Sequence, residues 1–203
     1  SKTVRANAPS TATPLSVVHS SIQGAPTAQI SVPTQIGNLP FEFSGNAFAF
    51  GRPFVSPDGT RWALTADTTA GSTENTLILT GFGSERRIVV REGYSDITGS
   101  GGVPTSSNPV FDRIIAINDD GTIGFTTRTA VPSRRHVMRA VPGATSNDPY
   151  SYTIVARQDD QALGFLPFEQ YYGGTSAIAG IAADGKLSFY SNLSGPTAAT
   201  NEV

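Results

Sequence analysis

The chain has 203 residues, with 14 basic against 16 acidic side chains for a net charge of −2, only 15% of positions charged, 21 glycines, 14 prolines and no cysteine. This balance excludes a duplex-binding surface, which needs clustered cations to neutralise phosphates, and the missing cysteines exclude disulfides and thiolate metal sites. No run approaches the roughly 18 apolar residues of a membrane helix, and helix-period patterns are scarce, so a single soluble or peripheral strand-and-turn domain is expected.

Taken in order, residues 1–14 are rich in Ser, Thr, Ala and Pro without periodicity and read as a flexible arm. Residues 15–19, carrying Val17 and Val18, read as a strand. Phe41, Phe43, Phe48 and Phe50 follow and are assigned to the core. Residues 52–66, R-P-F-V-S-P-D-G-T-R-W-A-L-T-A, form the first hairpin, in which the Asp-Gly pair supplies the positive φ that a tight turn needs. A polar loop at 67–74, a strand at 75–80, a glycine turn at 81–84 and a strand at 86–92 complete four antiparallel strands. The pattern returns as a hairpin at 112–129 with strands at 136–140 and 152–157, and begins again as a hairpin at 177–192.

The turn glycines Gly59, Gly121 and Gly185 recur at nearly equal spacing, the length of one four-stranded unit with generous loops. Val89-Val90-Arg91-Glu92 recurs one unit later as Val155-Ala156-Arg157-Gln158, and Val17-Val18-His19-Ser20, slightly more than one unit earlier, takes the same fourth-strand role. The expected fold is therefore all-β, a β-propeller-type repeat of antiparallel four-stranded blades occupying 15–203. Its units are about 52–110, 111–175 and 176–203, the last completed by strand 15–19. Closed propellers typically have at least about four blades, so three units imply an incomplete or partner-completed propeller. In order of preference the chain is a piece of a longer propeller, half of a ring made by two copies, or an open, prism-like β-structure.

The first hairpin, with its S-P-D-G turn, resembles the WD40-like repeat of Tol-B-type propellers. Residues 91–101, followed by a 114–125 hairpin containing A-I-N-D-D-G-T-I-G-F, resemble the tandem repeats of bacterial secreted "choice-of-anchor" β-propeller proteins. That resemblance implies a propeller architecture and a bacterial extracytoplasmic setting: periplasmic, cell-surface or secreted. Two departures stand out. Ala182-Ala183 replaces Asn-Asp in the third hairpin, and Trp62 and Leu64 sit one residue out of phase with Ile123 and Phe125, so the first turn is expected to be one residue longer.

Little chemistry is nominated. A calcium loop needs six to eight oxygens from a spaced acidic set, whereas Asp119-Asp120 is explained by turn chemistry. Asp159-Asp160, in a different connection, keeps a place among the candidates. His19 and His136 are too few for a histidine metal site, and Arg134, Arg135 and Arg139 read as a solvated strand edge. No catalytic, cofactor-binding or metal-ligating residue is assigned, and no cofactor is expected. The long loops of the first unit fall on one face, and loops on a rigid support carry function. Tyr94, Asp96, Asp159, Asp160, Tyr171 and Tyr172 are therefore the expected binding residues, with Asp67 and Glu74 beside them. Tyr171-Tyr172 next to Gly173-Gly174 is the sharpest feature, suited to stack on a sugar or anchor a protein. The leading expectation is a non-catalytic accessory or structural subunit that binds other protein chains, by self-association or in a larger complex. The alternatives are a carbohydrate or surface-polymer binding module and a fragment of a propeller hydrolase or lyase. Nucleic acid is not an expected partner, and membrane contact would come only through partners.

Overall fold

The computed structural model describes residues 2–6, 16–20, 27–31, 51–69, 76–83, 85–93, 95–97, 104, 111, 115–130, 133–145, 148–162 and 170–194, with backbone alone through 31 and at 130, 133 and 171–176. These residues are all-β. Strands β1 (Lys2–Ala6), β2 (Ser16–Ser20) and β3 (Thr27–Ser31) form an N-terminal three-stranded sheet. Strands β4 (Phe54–Val55), β5 (Arg61–Asp67), β6 (Thr76–Phe82) and β7 (Glu85–Arg91) form a first four-stranded antiparallel sheet in chain order. Strands β8 (Ala116–Ile117), β9 (Ile123–Ala130), β10 (Ser133–Val141) and β11 (Ser151–Arg157) form a second, and β12 (Gln170–Ile181) and β13 (Leu187–Ser194) form a hairpin.

The three Asp-Gly turns are built alike. Gly59, Gly121 and Gly185 have φ of 74°, 89° and 78°, a region in which a side chain would be strained. Each preceding aspartate accepts from the amide two residues on: Asp58 from Thr60 at 2.9 Å, Asp120 from Thr122 at 2.8 Å and Asp184 from Lys186 at 3.1 Å. Turn chemistry is what these carboxylates do. The first turn holds residues 56–61 between the closing pair Val55 and Trp62, while the second holds 118–122 between Ile117 and Ile123, so the first is longer by one residue, as expected.

Alternation along each strand gives each sheet two apolar faces, and the sheets stack in one direction. On the first sheet, Ala63, Ile78 and Val90 face the second sheet, where Ile123, Phe125 and Met138 pack against them in one buried cluster. Burying a side chain of that size contributes about 1.5–3 kcal/mol. The opposite face of the second sheet, through Val137 and Ala156, receives Ile178, Leu187 and Phe189 of the hairpin. Gly124 lies on that face directly under Leu187, whose methyl fills the place where a Cβ would stand. By register Ala63, Gly124 and Ser188 are equivalent, being the residues next after the closing pairs Val55–Trp62, Ile117–Ile123 and Ile181–Leu187. A trailing face thus meets the next leading face twice, with the same positions in contact.

The outer strands repeat more finely still. Val89 in β7 and Val155 in β11 are the extra residues of β-bulges opposite Ile78/Leu79 and Val137/Met138. Gln29 in β3 is the extra residue opposite Val17/Val18. These three positions recur at the spacing of the repeat, so β1, β2 and β3 correspond to strands two, three and four of a unit.

This corrects two expectations. Val17-Val18 belongs to a third strand, not a fourth, and it does not complete the third hairpin: Ser16–Ser20 is paired on both sides, by β1 and by β3. Neighbours reached by short connections close at less entropic cost than a hairpin near the other end of the chain. Lys2–Ala6, within the stretch read as an arm, is β1. The stretch with Phe41, Phe43 and Phe48, along with Phe50, lies outside the described residues.

Candidate interaction surface

The residues singled out in the sequence lie, where described, at the end of the sheets opposite the Asp-Gly turns. A reciprocal cap organises this end. In the first sheet the Glu92 amide donates to Thr76 O at 2.9 Å, and the Thr76 amide donates back to Glu92 Oε2 at 3.3 Å. At the equivalent place in the second sheet, Gln158 N donates to Arg135 O at 2.9 Å and Arg135 N to Gln158 Oε1 at 3.2 Å. Glu92 is 1% exposed, and Asp67 accepts from Thr76 Oγ1 at 3.3 Å beside it; burial pushes the Asp67 carboxyl above its ordinary value.

The next residue in each unit has a left-handed backbone: Gly93 at φ 72° and Asp159 at φ 71°. Asp159 therefore stands where the first sheet uses glycine, a conformation that Asp tolerates better than most side chains. Its carboxylate is 3.9 Å from Arg134 Nε, and Asp160 accepts from Arg157 Nε at 3.0 Å and pairs with Arg157 Nη2 at 3.0 Å. Both candidates are thus tied to arginines of their own sheet. Among the described residues no group of three His, Asp or Glu side chains is placed to hold a metal ion. Asp96 is exposed. Tyr171 and Tyr172 pair through the backbone with Leu193 and Asn192, while Tyr94 and Glu74 lie outside the described residues. Long connections leave this end after β7 and after β11 in both sheets, but only the first sheet has a long second-to-third loop here, between β5 and β6; in the second sheet β9 and β10 join tightly and 142–150 is long at the other end. That part of the expectation, taken from the first unit, does not carry over to the second.

His136 went unnoticed as a buried group. It is 3% exposed, with Nε2 3.1 Å from Thr129 Oγ1, while Nδ1 finds no hydrogen-bond partner among the described residues. Burial, reinforced by Arg157 and Arg134 and opposed by Asp160, lowers its pKa to about 4. It is a neutral core histidine.

At the Asp-Gly end, adjacent turns are linked across the stack. The first turn donates to the second: Asp58 N to Asp119 Oδ1 at 2.9 Å and Arg61 Nε to Asp119 O at 2.8 Å. The Asp58 carboxyl, held by Ser56 and Thr60, drops to about 2. The second turn donates to the third, from Asn118 Nδ2 to Ala182 O at 3.2 Å and Ala183 O at 3.3 Å. Beyond the third turn, Lys186 is exposed and paired only locally, with Asp184 at 2.7 Å, and Tyr190 is 47% exposed on the hairpin face turned away from the second sheet. No protein family, curated protein or solved structure matches this chain.

Proposed function

We propose that the chain is a β-propeller-type assembly module, a non-catalytic accessory subunit whose role is to bind other protein chains. One observation carries this reading: two successive interfaces are made by equivalent positions in the same direction, each joined turn to turn by donors of the earlier unit. Such packing has no built-in stop, and stacked repeats of this kind offer a face as readily as they cover one. The polar groups at the opposite end support it further, since Glu92, Gln158, Asp159 and Asp160 are engaged in capping and ion pairs of their own sheets. The resemblance to secreted repeat proteins favours an extracytoplasmic setting.

The test is the mass of the native particle by light scattering, with mass spectrometry of the intact chain. A particle above 21.2 kDa, by self-association or with foreign subunits at fixed ratio, is expected. A monodisperse particle at the mass of one chain in its native extract would overturn the reading.

A further inference from the structure

The hairpin β12–β13 has a leading face and a trailing face, and only the leading one is packed against the second sheet. Gly180 pairs with Ser188 and Ala177 with Tyr190 on the trailing face. Gly180 and Ser188 are the register equivalents of Phe54 and Ala63 in the first sheet and of Ala116 and Gly124 in the second. In the second sheet this cradle is filled by Leu187, whereas a Cβ on Gly180 would meet nothing nearer than Ser188 Oγ at 3.4 Å. Ser188 is exposed, and Tyr190, also exposed, is on the same face at the position that Thr65 and Thr126 hold in the two sheets.

The turn repeats the same vacancy in polar form. Asp184 and Lys186 occupy the turn positions of Asp58 and Arg61, which donate to the next turn in the stack. The side chain of Lys186 is 83% exposed. Ala182 stands where Asn118 reaches across, so the third turn offers the first turn's donors and not the second's.

Resting on the assembly reading above, we infer that the trailing face of β12–β13 docks a β-hairpin of a partner protein. The hairpin carries an aliphatic residue directly after its turn, to drop onto Gly180 and Ser188, and a carbonyl or carboxylate in the turn to accept from Lys186. Another copy of this chain is a poorer occupant: among the described side chains, the leading faces of both its four-stranded sheets, Trp62 and Leu64 at 2% and 0% exposed and Ile123 and Phe125 at 0%, are already buried. The interface adds a sheet face to face, as the two internal ones do.

The probe is a disulfide-closed peptide of residues 115–127, the hairpin whose Ile123 and Phe125 already pack on a trailing face, titrated into the full chain by fluorescence anisotropy. Saturable binding is expected. Ser188→Trp in the chain should weaken it at least tenfold, Lys186→Ala several-fold, and a peptide with Ile123→Asp should not bind. Carbodiimide should couple Lys186 to the peptide's aspartates. Gly180→Val fills the same cradle and serves if Ser188→Trp alters the circular dichroism spectrum. No binding at millimolar peptide, or binding that neither cradle variant changes, overturns the inference. So does a native particle whose self-association is abolished by Ser188→Trp, since that makes a second copy the occupant. The two readings fail separately: native partners without hairpin binding leave the assembly role standing and remove this face, whereas hairpin binding by a chain that is otherwise monomeric does the reverse.

Discussion

The two four-stranded sheets share a skeleton and differ at one end. Both place a bulge, a left-handed residue and a reciprocal cap at equivalent positions, yet the first sheet has Leu77, Glu92 and Gly93 where the second has His136, Gln158 and Asp159. Backbone geometry is what the repeat keeps, because each device satisfies groups that the strand ends would otherwise leave unpaired. The polar side chains around it differ: the second sheet holds a buried histidine and two arginine–aspartate pairs, and the first holds Leu77 and the Thr76–Asp67 contact at these places.

Six substitutions sharpen this comparison. Gly124→Val breaks the packing of the second sheet on the hairpin, because its side chain overlaps Leu187; we expect a loss of about 2–3 kcal/mol in urea unfolding. Gly180→Val, at the neighbouring open cradle, should stay within about 0.5 kcal/mol of the parent. Equal costs would mean that the stack is not what holds the hairpin.

His136→Leu makes the second sheet like the first at that position. The His136 pKa is about 4 in the folded chain against 6.5 ordinarily, so the unfolded chain takes up a proton that the folded one refuses. The neutral ring's contribution is complete above pH 6.5 and is lost as pH falls from there toward 4, by on the order of 2–3 kcal/mol. The leucine variant should lack that decline, measured as melting temperature between pH 7 and 4. The Asp58 turn, whose carboxyl is depressed from 3.8 to about 2, gives up its contribution only below that window.

Gln158→Ala removes one half of a cap and should cost about 1 kcal/mol; Glu92→Ala, in the more buried copy, should cost at least as much. Asp159→Gly should be the mildest and of opposite sign, stabilising by about 0.5 kcal/mol, as glycine relieves the left-handed backbone at the expense of a long, exposed ion pair. Loss of stability there would show that Arg134–Asp159 matters more than its geometry suggests.

The repeat was legible because turns and bulges leave local marks: Asp-Gly pairs, and the Val-Val-Arg-Glu and Val-Ala-Arg-Gln strings that bracket a bulge and a cap. The N-terminal sheet was missed for a related reason. Val17-Val18 resembles a fourth strand in composition, and only the register, with Gln29 rather than a valine at the bulge, identifies it as a third. The surface was less legible. Phe189 and Tyr190 are adjacent aromatics on opposite sides of one strand, and which of them is buried depends on the sheet packed against it, not on either residue. His136 hides in an Arg-rich strand for the same reason.

The bulges at Val89 and Val155 have a consequence for growth. An extra residue in an outermost strand interrupts its row of backbone donors and acceptors and coils it away from the plane, which spoils it as a template for another strand. Lateral recruitment along β7 and β11 is thereby discouraged, while the trailing face of β12–β13 stays open. Assembly through that face, as proposed above, would lengthen the stack like a pile of plates without widening it into a ribbon, and so would keep ordered growth apart from amyloid-like spread.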